Sequence, residues 1–213
     1  MSKYMSIVFD DGPNEYMPQM VDKFMGYGFK CGFAVIGRKF NDDTLPLLKY
    51  AIDNGCQIVA HGQNHVHVEK FDNVNDMEDE LSLPITNLEK ALGYKMNMAR
   101  LPFLSYDERV LKCAEKLGLP LLGHGIDGGR DWHEESLPEN IANAVINSAC
   151  DGAIACLHVT KNTCKALDEI LPVLKEKGFD LVTPDEIFEK MGVKEIPLGV
   201  QIHNVFDILE DEI

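Results

Sequence analysis

Three short stretches of this sequence carry side chains able to do acid–base or metal chemistry together. Asp10 and Asp11 stand side by side at the end of an apolar run, residues 5–9, and just before Gly12-Pro13, a strong turn pair. Adjacent carboxylates at a strand end can both reach the rim of a cleft, where one can bind a metal while the other stays free to move protons. An acidic turn on a solvated rim is the plainer alternative. His61 and His65 have H-x-x-x-H spacing. On a helical turn, residues four apart share a face, so both imidazoles can reach one ion. With one carboxylate they make a His-His-Asp set that leaves positions open for water. Two surface histidines fit the spacing equally well, and it is the coupling to Asp10-Asp11 that favours a metal. His158 ends the apolar run 153–157; an imidazole there can act as a general acid near neutral pH. His67 reads as a neighbour only, and His124, His133 and His203 have no comparable setting.

Such groups act together only if the chain brings them to one place. Short apolar runs at residues 5–9, 30–37, 57–60, 97–100, 120–123, 153–157 and 179–182 read as strands. They alternate with amphipathic segments that read as helices at 16–27, from Asp43-Thr44 to about residue 52, 73–92, 106–117, from Ser136 onward, 164–177 and after Pro184. Pro84 predicts a kink or restart in the third of these, and Ser136 with Glu139 predicts a capped start for the fifth. Strand–helix alternation implies parallel strands with crossover helices. The reading is a distorted or incomplete (β/α) barrel of about seven parallel strands in a single domain, residues 1–206, followed by an acidic tail, 207–213; an open doubly wound sheet is the alternative. In either fold, sites form at the C-terminal ends of the strands, where Asp10, Asp11, His61, His65, Arg100 and His158 all fall.

Composition bounds the partners. The 213 residues carry a net charge of −15, which disfavours a nucleic-acid backbone or an anionic membrane as partner. No run of about 18 apolar residues predicts a transmembrane helix. The N-terminus lacks the basic, apolar and small-residue pattern of a signal peptide, so the chain as written reads as cytoplasmic, although a trimmed secreted form would read the same. Six scattered cysteines without a C-x-x-C pair predict reduced thiols rather than a zinc knuckle.

Phe9-Asp10-Asp11-Gly12-Pro13, His61-x-x-x-His65, Arg100-Leu-Pro102-Phe103, Asp131-Trp132 and Leu157-His158 stand in this order across most of the chain. Together they resemble the five motifs of the polysaccharide deacetylases, carbohydrate esterase family four, with its NodB-homology domain. Two flanking stretches, residues 30–37 and 177–183, are also similar to the family. The resemblance implies metal-dependent removal of N- or O-acetyl groups from an acetylated carbohydrate. It makes Asp11, His61 and His65 the metal ligands and Asp10 the general base. Arg100 would position the base, His158 would be the acid, and Asp131 would orient that acid. Pro102, Phe103, Trp132 and Leu157 would contact substrate, with Leu157 lining the acetyl-methyl pocket. Two imidazoles and a carboxylate suit Zn²⁺, with Co²⁺, Ni²⁺ and Fe²⁺ as alternatives.

Three positions depart from the family pattern. Gly62 stands where the family has Ser or Thr, a form that also resembles allantoinase-like hydrolases of small amides. Leu104 replaces a common Gly and predicts a narrower groove. Asp127 lies one residue too far from Asp131 for the usual D-x-x-D-W. A small-amide hydrolase and a non-catalytic carbohydrate-binding relative are the alternative readings.

Overall fold

A computed structural model describes residues 3–210 of the chain. The first element, β1 (Lys3–Gly12), is buried along almost its whole length and is the centre of the sheet. It is followed in order by α1 (Met17–Gly26), β2 (Gly32–Val35), α2 (Leu45–Asp53), β3 (Gln57–Ala60), α3 (Val74–Leu92), β4 (Ala99–Arg100), α4 (Glu108–Lys116), β5 (Leu121–Leu122), β6 (Ile126–Asp127), α5 (Pro138–Ser148), β7 (Ala153–His158), α6 (Lys161–Glu176), β8 (Phe179–Leu181), α7 (Glu186–Lys190), β9 (Gln201–Ile202) and α8 (Val205–Glu210). The strands pair in parallel in the order β6-β7-β1-β2-β3-β4-β5-β9, with β8 against the start of β1. This is a distorted (β/α) barrel, as the strand–helix alternation predicts. No described helix is long and apolar enough to cross a membrane.

Side-chain alternation along the strands divides the apolar residues into two cores. Val8, Ala34, Val59, Met98, Leu122, Ile154 and Ile202 face the lumen, which Ile187 and Phe188 of α7 and Val205 of α8 help to fill. Ile7, Phe9, Phe33 and Ile58 face outward under the helices. Phe9 packs edge-on against Phe24 of α1 at 5.8 Å and against Phe33 at 5.4 Å. Burying each such ring stabilises the fold by ~1.5–3 kcal/mol. The same parity sends Asp10, His61, Arg100 and His158, all even steps from lumen residues, toward the open upper mouth.

Several local expectations change. β6 and β9 are two residues long, too short to leave a hydrophobic period. Ser136 does not cap α5: Leu137 occupies the cap position ahead of Pro138, and Ser136 Oγ instead donates to the Arg130 carbonyl at 2.7 Å. α6 starts three residues earlier than its apolar pattern, capped by Thr160, whose side chain accepts the Thr163 amide. α3 runs unbroken through Pro84. Of the acidic tail, residues 207–210 lie in α8, whose Val205 is buried; residues 211–213 lie outside the described residues.

Candidate active site

Three groups of side chains meet at the mouth of the barrel. The first is centred on Asp10, 4% exposed at the end of β1. Arg100, fully buried at the end of β4, donates from Nη1 to Asp10 Oδ1 at 2.8 Å and to the Val8 carbonyl at 3.3 Å. Cys156 of β7 donates its thiol to the other oxygen, Oδ2, at 3.3 Å. Burial pushes the Asp10 carboxyl up, but the Arg100 charge, then those of His61 and His158, outweigh it and hold the group below its ordinary range. Burial and the Asp10 charge push Cys156 well up, so it stays a thiol and a donor.

The second group is Asp11, His61 and His65. Asp11 has φ 66°, a left-handed conformation that breaks the strand alternation and turns its carboxylate to the same mouth as Asp10. Its Oδ1 faces His65 Nε2 at 3.1 Å and His61 Nε2 at 3.5 Å. Burial pushes Asp11 up, but the two imidazoles hold it far below the carboxylate range. His61 Nδ1–H donates to the Arg100 carbonyl at 2.8 Å, which leaves the Nε2 lone pair pointing at Asp11. Asp11 Oδ1 is buried and has no hydrogen-bond partner among the described residues. A carboxylate oxygen and two ring nitrogens converging within 4.8 Å, one of the nitrogens left as a lone pair by the His61–Arg100 hydrogen bond, fit a divalent cation.

The two histidines do not share a helical turn, contrary to the spacing argument. Residues 61–65 form a loop, with Gly62 at φ 71° and His65 at φ 57°. α3 supports this loop in a way the sequence did not suggest. Pro84 has no N–H, so the Glu80 carbonyl one turn earlier lacks its helical donor; it accepts the Gln63 amide at 2.9 Å instead. The buried Glu80 carboxylate accepts from Asn64 N at 2.7 Å and from Asn64 Nδ2 at 2.8 Å. A Cβ at residue 62 would stand 2.7 Å from Glu80 Oε1, so glycine is the residue that admits this carboxylate.

The third group is His158 and Asp131. His158 lies directly beside Asp10 in the β1–β7 register. Its Nδ1–H donates to Asp131 Oδ1 at 2.8 Å. Asp131, 1% exposed, also accepts at Oδ2 the His158 amide at 2.6 Å and the Thr163 hydroxyl at 2.7 Å. Burial lowers the affinity of His158 for its proton, but the hydrogen bond and charge of Asp131, then the charges of Asp10 and Asp11, push it up to about 8.

The cleft over these groups measures about 390 Å³. Trp132 and Phe103, each at least half exposed, flank it, and Phe103 stacks on His67 with ring centroids 4.2 Å apart. Leu104 also lines it; Phe103 and Leu104 both have left-handed backbones, at φ 59° and 53°. Two expected substrate contacts are not on this surface. Leu157 is fully buried in the outward core, because alternation from His158 turns it away; Cys156, two residues before His158, lines the cleft in its place. Pro102 is buried beneath Gly62, and its neighbours Leu101 and Phe103 face the cleft. His124 and Asp127, without a role in the sequence reading, also line the cleft, and Asp127 accepts the Gly129 amide at 2.7 Å.

Comparison with known proteins matches residues 1–122 to the polysaccharide deacetylase family. A bifunctional xylanase/deacetylase of Pseudobutyrivibrio xylanivorans is 27% identical over 194 residues, 90% of this chain but only 31% of that protein. A peptidoglycan-N-acetylglucosamine deacetylase of Bacillus cereus is 30% identical over 194 residues, 87% of this chain and 88% of that protein. Among solved structures, a family 4 acetyl xylan esterase from Clostridium thermocellum, in complex with a cobalt ion, superposes with a TM-score of 0.88 at 26% identity, covering 95% of this chain and 99% of that one.

Proposed function

This chain belongs to the polysaccharide deacetylase family, and from that premise we propose that it hydrolyses acetyl groups from an N- or O-acetylated sugar, oligosaccharide or polysaccharide. The observation that carries the proposal is the convergence of the Asp11–His61–His65 set with the Asp10–Arg100 pair and the His158–Asp131 pair in one cleft. Asp11, His61 and His65 would hold a divalent cation, Zn²⁺ in the first instance given the donor set. Such an ion, when bound, supplies Lewis-acid polarisation of the scissile carbonyl and acidifies a water.

The remaining work belongs to the chain. Asp10, kept ionised by Arg100, takes the proton from the attacking water at Oδ2, with the thiol of Cys156 fixing that oxygen's direction. His158 is protonated below about pH 8 and gives its proton to the departing nitrogen or oxygen, while Asp131 fixes its ring orientation and stabilises its charged form. A carboxylate base and an imidazole acid on adjacent strands, one pushed down and the other up, is the division of labour that amide hydrolysis requires. Phe103 and Trp132 offer apolar faces to the sugar rings on either side. Gly62 is accounted for by the approach of Glu80, so its presence is not in itself an argument for a small-amide substrate.

The test is acetate release from N-acetylglucosamine oligomers and acetylated xylan, with allantoin as the non-sugar control, after loading with Zn²⁺ or Co²⁺. Turnover of an acetylated saccharide is expected, and turnover of allantoin alone would end the proposal. Asp10→Asn should retain the ion by elemental analysis and lose ~10²–10⁴-fold in kcat.

A further inference from the structure

A second pair of reactive groups lies at the opposite end of the sheet. Cys31 immediately precedes β2 and Cys56 immediately precedes β3. Gly32 is in register with Gln57, and the Gln57 amide donates to the Cys31 carbonyl at 3.1 Å, so the two cysteines are lateral neighbours where their strands begin. Their Sγ atoms are 3.6 Å apart, and both residues are buried. Neighbouring strands run ~4.8 Å apart, inside the ~4.4–6.8 Å that a disulfide spans between Cα atoms. Side-chain rotation alone can therefore bring the sulfurs to bonding distance.

We propose that Cys31 and Cys56 are a disulfide-forming site, closed by exchange with a small-molecule disulfide and stapling β2 to β3. Their surroundings divide the roles. Cys56 lies at the floor of a surface cleft of about 220 Å³ bordered by Gly55, Gln57, Tyr94 and Thr183, whereas Cys31 is fully enclosed behind it. The Cys31 thiol and the nearby Lys30 charge favour the thiolate of Cys56, while burial and Cys56 itself keep Cys31 protonated. In the first step the Cys56 thiolate attacks one sulfur of the reagent, forming a mixed disulfide and releasing one thiolate. Cys31 then gives up its proton and attacks Cys56 Sγ, the Cys31–Cys56 bond forms, and the second reagent thiolate leaves. Two protein thiols are oxidised, one reagent disulfide is reduced, and the two released thiolates take up the two protons. The bond closes a loop across 25 residues, which constrains the unfolded chain more than the folded one.

The experiment uses the unaltered chain, incubated with oxidised glutathione, alkylated after denaturation, digested and mapped by mass spectrometry. The expected product is a cross-linked peptide pair containing Cys31 and Cys56, lighter by two hydrogens, while the exposed Cys150 carries only a mixed disulfide. The unfolding midpoint should rise by roughly 5–10 °C, revert with reductant, and fail to rise in Cys31→Ser. Recovery of Cys31 and Cys56 as alkylated thiols, at a time when Cys150 is modified, overturns the proposal. So does a glutathione adduct that persists on Cys56, since it would mean that Cys31 cannot reach it.

Discussion

Asp131→Asn tests the assignment of His158 as the acid. In the native site Asp131 Oδ2 satisfies two donors, the His158 amide and the Thr163 hydroxyl, and Oδ1 faces His158 Nδ1. An asparagine of the same shape must keep its oxygen on the two donors, so its amide nitrogen faces the ring. Nδ1 then becomes an acceptor, which favours the neutral imidazole. With the Asp131 charge removed and burial still opposing the charged form, the pKa should fall from about 8 to the ordinary ~6.5 or lower. That is at least ~1.5 units, or ~2 kcal/mol less stabilisation of the imidazolium. At about pH 8 the protonated fraction should drop from about a half to ~3%, a loss of ~15-fold in kcat for an amide substrate. The assay is kcat for acetate release from an N-acetylated oligomer between about pH 5.5 and about pH 9.5, beside a 4-nitrophenyl acetate control whose leaving group needs no proton. The alkaline limb should move down for the amide, and the ester should be affected little. An alkaline limb that stays near its wild-type position, or equal losses on both substrates, would refute the role. Stability offers a second readout. Because the folded pKa lies above the unfolded value, the His158–Asp131 pair stabilises fully below about pH 6.5 and loses that contribution as pH rises through about 8. The stability gap between wild type and variant should shrink over that window.

Two further outcomes follow from the loop and the rim. Glu80→Ala removes the acceptor of both Asn64 donors and should weaken ion binding by ~10–100-fold in a chelator competition, with Glu80→Gln affected much less; equal affinity in both variants would mean that α3 does not hold the histidine loop in place. Leu104→Gly relieves a left-handed backbone at φ 53° and widens the cleft, so kcat/KM for longer oligomers over the shortest should rise by about tenfold, with the change in stability by chemical denaturation held within ~1 kcal/mol because glycine also loosens the unfolded chain.

Asp10, His61, Arg100 and His158 were legible because each sits where an apolar run stops, and a parallel sheet gathers such positions on one rim. Arg100 and Asp10 needed nothing more than strand parity to meet. The same parity, counted back from His158, would have selected Cys156 over Leu157; the motif resemblance drew attention to the wrong neighbour. Glu80 left no such trace. It stands in an acidic helix where a buried glutamate looks like a solvated one, and its importance depends on a proline four residues later and a glycine eighteen residues earlier. The H-x-x-x-H spacing pointed to a pair that the structure does bring together, but through a helical geometry that the loop does not have, since Gly62 and His65 reach convergence by left-handed turns. Oxidisable contact between Cys31 and Cys56 was equally hidden, because strand register, not sequence distance, makes them neighbours.

The register of β1 bears on the order in which the site is assembled. The three proposed ion ligands fall within the first 65 residues, on β1 and the loop after β3, whereas His158 reaches Asp10 only through the β1–β7 pairing. A chain emerging from the ribosome therefore carries all three proposed ion ligands, and then the Glu80 and Arg100 groups that hold their loop, before the proposed proton donor exists; the lumen residues Ile187, Phe188, Ile202 and Val205 arrive later still. Pairing β1 with β7 spans about 150 residues of chain, a closure that is slow compared with local helix formation. Under the proposed ligand assignment, an ion would be open to capture once α3 and β4 are in place and before His158 joins Asp10, acting as scaffold ahead of any part in turnover.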